Sequence, residues 1–286
     1  FSVFKRPDVI GFLAIAIVSL VNSRNRLGAI VGGALPISPP GATDLWQTYF
    51  ESWHQVGMGS SLATPPWVAV TAIASLAVLG KVQFLMTTFF LVAPILIMWT
   101  GFLLLKKLTS NNWISIPAAF LYAISPVTIA AVSSGHVGTL ILLIFVPLVA
   151  IILHDWLAIE KYSWRKIFAV SLLFSVLYAF TLMSFVIALV ASVLVSMDNF
   201  KEYSSTQDKS VWFDRLKKRS ALVFVPFLVN APYSFEALID PSRFLTEPGL
   251  RIPGGGSLAV LSGNPGGLGS VPLWLISPIV LVLVIS

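Results

Sequence analysis

The chain has 286 residues, of which 57% are hydrophobic and 10% charged, against roughly 25% charged in an ordinary soluble domain. That balance, with a mean hydropathy of +0.89, excludes a water-soluble globule, and the absence of Cys excludes disulfides and thiolate metal sites. The formal charge of +6 reads as basic cytoplasmic loops of a membrane protein, so nucleic acid is not expected as a partner.

Charge is kept out of the apolar runs, and a bilayer asks for runs of roughly 20 residues each. Val9–Val21, after Lys5-Arg6, reads as a first span rather than a cleaved leader. A polar, Pro/Gly-rich stretch follows to Pro65-Pro66, then the short apolar Trp67–Leu79. Val82–Leu105 and Trp113–Val132 are full-length spans, and Ser133-Ser134-Gly135-His136 is a tight turn before Val137–Leu153. Ile167–Ser196 is too long for one upright helix and reads as one strongly tilted span or two short ones folded near Phe180-Thr181. The charged residues 197–220 read as a basic cytoplasmic loop that anchors to anionic lipid through Arg215, Lys217, Lys218 and Arg219. After the apolar Ala221–Phe235, residues 236–270 form a Gly/Pro-rich external loop, and a last apolar run starts at Val271. Phe1 is not an initiator Met and the chain stops inside that run. Residues 1–286 are therefore expected to be a single multi-span membrane domain cut from a longer protein. The expected fold class is all-α: a polytopic helical membrane protein with an external interfacial amphipathic helix.

Lys and Arg set the orientation. Lys5, Arg6, Lys106, Lys107, Lys161 and the cluster up to Arg219 all face the cytoplasm if Trp67–Leu79 does not cross and Ile167–Ser196 crosses twice. That puts residues 22–66, the turn at His136 and residues 236–270 outside.

Within the first external loop, residues 44–55 read DLWQTYFESWHQ. At about 100° per residue, Leu45, Trp46, Tyr49, Phe50 and Trp53 share one side, while Asp44, Gln47, Thr48, Glu51 and His54 share the other. Thr43 or Asp44 can cap its start and Gly57 its end. An interfacial helix is predicted, its aromatic face in the headgroup layer. Asp44, Glu51 and His54 are the candidate catalytic residues: proton transfer needs a positioned carboxylate or imidazole, and carboxylates on a phosphate substrate suit a divalent cation. The alternative is that they are only the solvated side of the helix. Arg24 and Arg26 are candidates to hold a lipid diphosphate through charge-assisted bonds, or are interfacial anchors. His136 at the outer turn is a candidate for the site of His54, or a structural His. Arg251, with Glu236, Asp240, Arg243 and Glu247, brings charge to the second external loop and is a further binding candidate. Gly28 and Gly32 have the spacing of a close helix contact, and Asn230, between Pro226 and Pro232, is placed to satisfy backbone freed by the prolines.

Gly33-Ala34-Leu35-Pro36, Pro40-Gly41-Ala42-x-Asp44-Leu45-Trp46, Ser52-Trp53-His54-x-Val56-Gly57-x-Gly59-Ser60, Pro65-Pro66-Trp67 and Gly80-Lys81 together resemble the multi-span region of large actinobacterial glycosyltransferases that carry a family 2 catalytic domain. The layout is also distantly similar to the membrane-embedded C class of glycosyltransferases. That resemblance implies a polyprenyl-phosphate sugar donor, a polysaccharide acceptor, membrane lipid around the chain, and an acidic catalytic residue in the first external loop, where Asp44 is the best match and Glu51 the next. Two alternatives stand beside it: a lipid-linked sugar transporter or flippase, and a non-catalytic anchor for a soluble transferase domain. The apolar spans contain no ionisable residue of the kind that ion-coupled transporters bury.

Overall fold

The computed structural model describes residues 6–24, 27, 28, 30, 32–35, 38–54, 59–155, 163–206 and 209–249. Among them the regular elements are helices, and an isolated antiparallel bridge joins His54 to Ser60. The helices are α1 (Pro7–Ser23), α2 (Ala42–Phe50), α3 (Trp67–Ser75), α4 (Val82–Thr109), α5 (Asn112–Ala123), α6 (Pro126–Ser134), α7 (Val137–Asp155), α8 (Trp164–Phe180), α9 (Met183–Thr206), α10 (Lys209–Val229) and α11 (Tyr233–Ile239). Short 3-10 turns follow α3 at Leu76–Val78 and α11 at Pro241–Leu245. The chain divides into two compact units. One holds the described residues up to Pro40, Lys81–Ile151 and residues 247–249; the other holds Gly41–Gly80 and the described part of Ile152–Thr246.

In the first unit α4 packs on α1 and α5. At 1.5 Å per residue its 28 residues reach about 42 Å, beyond the roughly 30 Å of a hydrocarbon core. Its apolar side chains point both ways: Phe90, Ala93, Ile97 and Met98 are buried, while Phe84, Trp99 and Leu103 are exposed. A helix that is apolar all round belongs inside a larger core or in lipid. Asn111 caps α5 by accepting from the Trp113 N–H at 2.9 Å, and Pro126 opens α6 after Ser125, where a missing N–H costs nothing. Gly11 lets α1 approach α5, since a Cβ there would lie 2.4 Å from Ile116 Cγ2. No heavy atom lies within 4 Å of where the Cβ of Gly28 or Gly32 would be, and Gly28 meets α4 through its carbonyl, which accepts from Thr87 Oγ1.

In the second unit α10 packs on α8 and α9. Ile167, Phe174, Tyr178, Phe185, Leu222 and Phe227 are buried, and the Phe185 and Phe227 rings stand 4.4 Å apart. Residues 167–196 are two helices, broken at Thr181-Leu182 beside the expected fold. Asn230 Nδ2 donates to Pro226 O at 2.8 Å and to Ser175 O at 3.1 Å, so it ties the end of α10 to α8 rather than filling the Leu222 carbonyl that Pro226, lacking an N–H, leaves open. The expected loop over 197–220 is instead helical, with α9 running to Thr206 and α10 starting at Lys209. The stretch holds no Gly or Pro, and Lys, Arg and Glu are good helix formers, so charge alone does not end a helix.

Among the described residues two helical stretches are long and apolar enough to cross a membrane, Val82–Thr109 and Asn112–Ser134. A third qualifies if Trp212–Val229 and Tyr233–Ile239, bent by 97°, form one broken span.

Candidate functional site

A helix forms where one was predicted, but over different bounds from 44–55: it runs Ala42–Phe50 and packs on α3. Its N-cap is Gly41, which has no side chain, so Asp44 reaches back from the third helical position and its Oδ2 accepts from the Gly41 N–H at 3.2 Å. Asp44 is thus half-buried and oriented by its own helix end. The last helical bond is Glu51 N–H to Gln47 O at 2.9 Å, after which Glu51 is extended at ψ 129. Helix termination there, rather than at Gly57, takes Trp53 off the predicted aromatic side and His54 off the predicted polar side; Gly57 itself lies outside the described residues.

What ends the helix is a tertiary partner. Thr64 Oγ1 donates to Thr48 O at 3.1 Å, satisfying one of the terminal carbonyls that every helix leaves open. With that hydroxyl proton committed, the 2.9 Å contact between Thr64 Oγ1 and His54 Nε2 requires the imidazole to carry the proton on Nε2. A base at His54 therefore has to be Nδ1. The aromatic face divides: Leu45 is buried, Trp46 and Tyr49 are half-buried, and Phe50 is 74% exposed with its ring stacked on Trp46 at 5.7 Å. Glu51 is exposed.

The same unit carries a second polar cluster. Glu236 accepts from the Ala63 N–H at 3.0 and 3.1 Å through its two oxygens and pairs with Arg243 at 2.7 Å. Arg243 also lies 3.8 Å from Asp240 and over the ring of Tyr233. Two of the charges expected at the external loop thus fasten residues 59–64 to α11 and the turn after it.

In the first unit His136 stands between two helices. Gly135 ends α6 in the left-handed conformation at φ 81, and His136 O accepts the first helical bond of α7 from Leu140 N–H at 3.2 Å. Its side chain is buried, and Nδ1–H donates to Glu247 Oε1. The other carboxylate oxygen of Glu247 accepts from Thr139 N–H and Thr139 Oγ1–H, both at 3.1 Å. Glu247 therefore closes open N–H groups at the start of α7, where negative charge is favoured by the helix dipole. Gly138 makes the room: a Cβ there would lie 2.9 Å from Glu247 Cβ. On the other side Gly33, at φ 63, lets Ala34 N–H reach Ser134 O at 2.7 Å. Sequence reasoning named His136 and Glu247 separately and missed the pair, because no local pattern links residues 111 positions apart.

Arg24 is exposed at the C-cap of α1, while Arg26 and Arg251 lie outside the described residues. His54 and His136 fall in different units. Among the described residues no group of three or more His, Asp or Glu side chains is arranged to hold a metal ion. The arrangement offers a carboxylate at Asp44 fixed through one oxygen, an exposed carboxylate at Glu51, and an imidazole at His136 whose Nδ1 is already committed. No protein-family model matches this chain, and no curated protein or solved structure is detectably similar to it.

Proposed function

We propose that this chain is a multi-span domain of the cell membrane and the membrane part of a glycosyltransferase that takes a sugar from a polyprenyl-phosphate carrier for cell-envelope polysaccharide. The observation that carries the reading is α2: a short helix with stacked, partly exposed aromatics and an oriented carboxylate, in a chain whose other helices include span-length apolar ones. In this reading α2 lies flat in the outer headgroup layer, with Phe50 in lipid and Asp44 beside the donor. Asp44 accepts the proton of an acceptor hydroxyl as that oxygen bonds to the anomeric carbon. The bond from the anomeric carbon to the phosphate oxygen breaks, and its electron pair leaves with the polyprenyl phosphate. The bond from Gly41 N–H holds the carboxylate in place.

The test is transfer by the complete protein in proteoliposomes given polyprenyl-phosphate sugar and acceptor. Asp44→Asn is expected to lower turnover by roughly 100-fold or more, the usual worth of a general base, while Glu51→Gln stays within a few-fold. Full activity in both single variants and in the double variant rejects catalysis by this helix.

One observation favours the transport reading. In α10 Lys218 is buried against Asp214 at 2.7 Å, and Arg219 is only 1% exposed. Buried ionisable groups in a membrane helix mark substrate pathways more often than anchors. Lipid flipping without any sugar transfer, lost in Arg219→Met, would place the function there instead.

A further inference from the structure

Besides the Glu236–Arg243 cluster, the chain from Asn230 to Leu245 carries an exposed apolar face. α10 ends at Val229, and the helix axis turns by 97° into α11. The bend is built from polar groups turned inward: Asn230 is bonded to Pro226 O and Ser175 O, and Ser234 Oγ donates to Phe227 O at 2.7 Å. On α11 the inner side is Ser234 and Ala237, both fully buried, and Glu236 and Arg243 close a polar edge through their ion pair. The outer stripe is Phe235, Leu238 and Ile239, spaced i, i+3 and i+4 on one face of the helix. Ile239 is 87% exposed, and Leu245, in the turn that follows, is 79% exposed. The apolar surface does not start at α11. Phe224, Leu228 and Val229 on the last turns of α10 are exposed as well, so the uncovered apolar surface runs along α10 and continues past the bend.

Contiguous apolar surface of this kind is unfavourable in water and marks a site that something covers. Continuity with α10 selects the occupant. If the exposed apolar side of α10 faces hydrocarbon, a helix turned by nearly a right angle at its end lies along the membrane surface, with its stripe toward the acyl chains and Glu236, Asp240 and Arg243 at headgroup level. We infer that α11 and the turn Pro241–Leu245 form a second membrane-surface element whose partner is the lipid bilayer itself. Sequence periodicity missed it because seven residues are two turns, and the stretch was read as the start of a Gly/Pro-rich loop. The inference rests on the membrane reading under Proposed function and is testable apart from it.

The chain has no Cys, so single substitutions Leu238→Cys, Ile239→Cys and Leu245→Cys can each carry a nitroxide, on side chains that are already exposed. Ser242→Cys marks the polar side, and Trp99→Cys and Leu103→Cys mark the outer face of α4. The complete protein is reconstituted in phosphatidylcholine–phosphatidylglycerol vesicles, and collision with oxygen is compared with collision with a water-soluble nickel chelate. The expected result is oxygen-dominated relaxation at 238, 239 and 245, as at 99 and 103, and nickel-dominated relaxation at 242. Nickel access at 239 and 245 with lipid-like labels on α4 overturns the inference and leaves the membrane reading standing. Nickel access at both sets overturns the membrane reading too. Protection from both reagents at 239 and 245 means that protein, such as a second copy of the chain, covers the stripe, and lipid is rejected as its partner.

Discussion

The starts of α2 and α7 meet the same physical problem in opposite ways. Each helix opens with backbone N–H groups that have no intrahelical acceptor, and each is closed by a carboxylate. At α2 the carboxylate is Asp44, three residues along the same helix, bonded to Gly41 N–H. At α7 it is Glu247, 108 residues beyond Thr139 in sequence and tied as well to the buried His136. A local cap steadies one short helix. The distant cap also cross-links chain segments that meet only in the folded state, so losing it releases more than a helix end.

That contrast can be broken in several places, with thermal unfolding in detergent as the common measurement. The largest loss is expected for Gly33→Ala beside the α7 start. Its left-handed backbone disfavours a Cβ by about 1 kcal/mol. That Cβ would also sit 2.3 Å from Ser134 O, forcing apart a bond from the buried Ala34 N–H, worth about 1–3 kcal/mol more. Gly28→Ala, with open space and no left-handed backbone, should be neutral. Equal stability of the two variants would show that the packing of Gly33 on Ser134 contributes nothing.

Next comes Glu247→Gln, expected to lose about 1–2 kcal/mol because it weakens charge-assisted bonds to Thr139 and His136. A double-mutant cycle with His136→Asn should give a coupling of at least about 0.5 kcal/mol; strict additivity would mean the imidazole and carboxylate do not interact. The smallest effect belongs to the local cap. Asp44→Asn should change stability by under about 1 kcal/mol while lowering sugar transfer roughly 100-fold or more, if the proposed function holds. A stability loss at Asp44 as large as that at Glu247 would erase the distinction between the two starts.

Much of the helical layout is legible in the residues because it depends on neighbours. The uncharged runs around Phe90 and Ala119 form α4 and α5, the chain breaks at Thr181 where it was expected to fold, and Gly135 ends α6. The candidate site was legible only in part: the aromatic and polar faces of α2 were visible, but its end at Phe50 was not. That end depends on Thr64 reaching Thr48 O from 16 residues away, a contact that helical periodicity cannot encode. The same holds for charge in 197–220, which marks polarity but not whether the backbone is coiled.

By itself, then, the sequence determined which stretches are apolar enough to meet lipid, because hydrophobic runs and backbone breakers act over a few residues. Tertiary structure decided which charges fasten the chain, with Glu247 on His136 and Glu236 on Ala63 and Arg243. It also decided which apolar faces stay uncovered, as on α11. Hydrogen-bond partners and burial are set by distance in space, and residues far apart in the chain become neighbours only when the helices have packed.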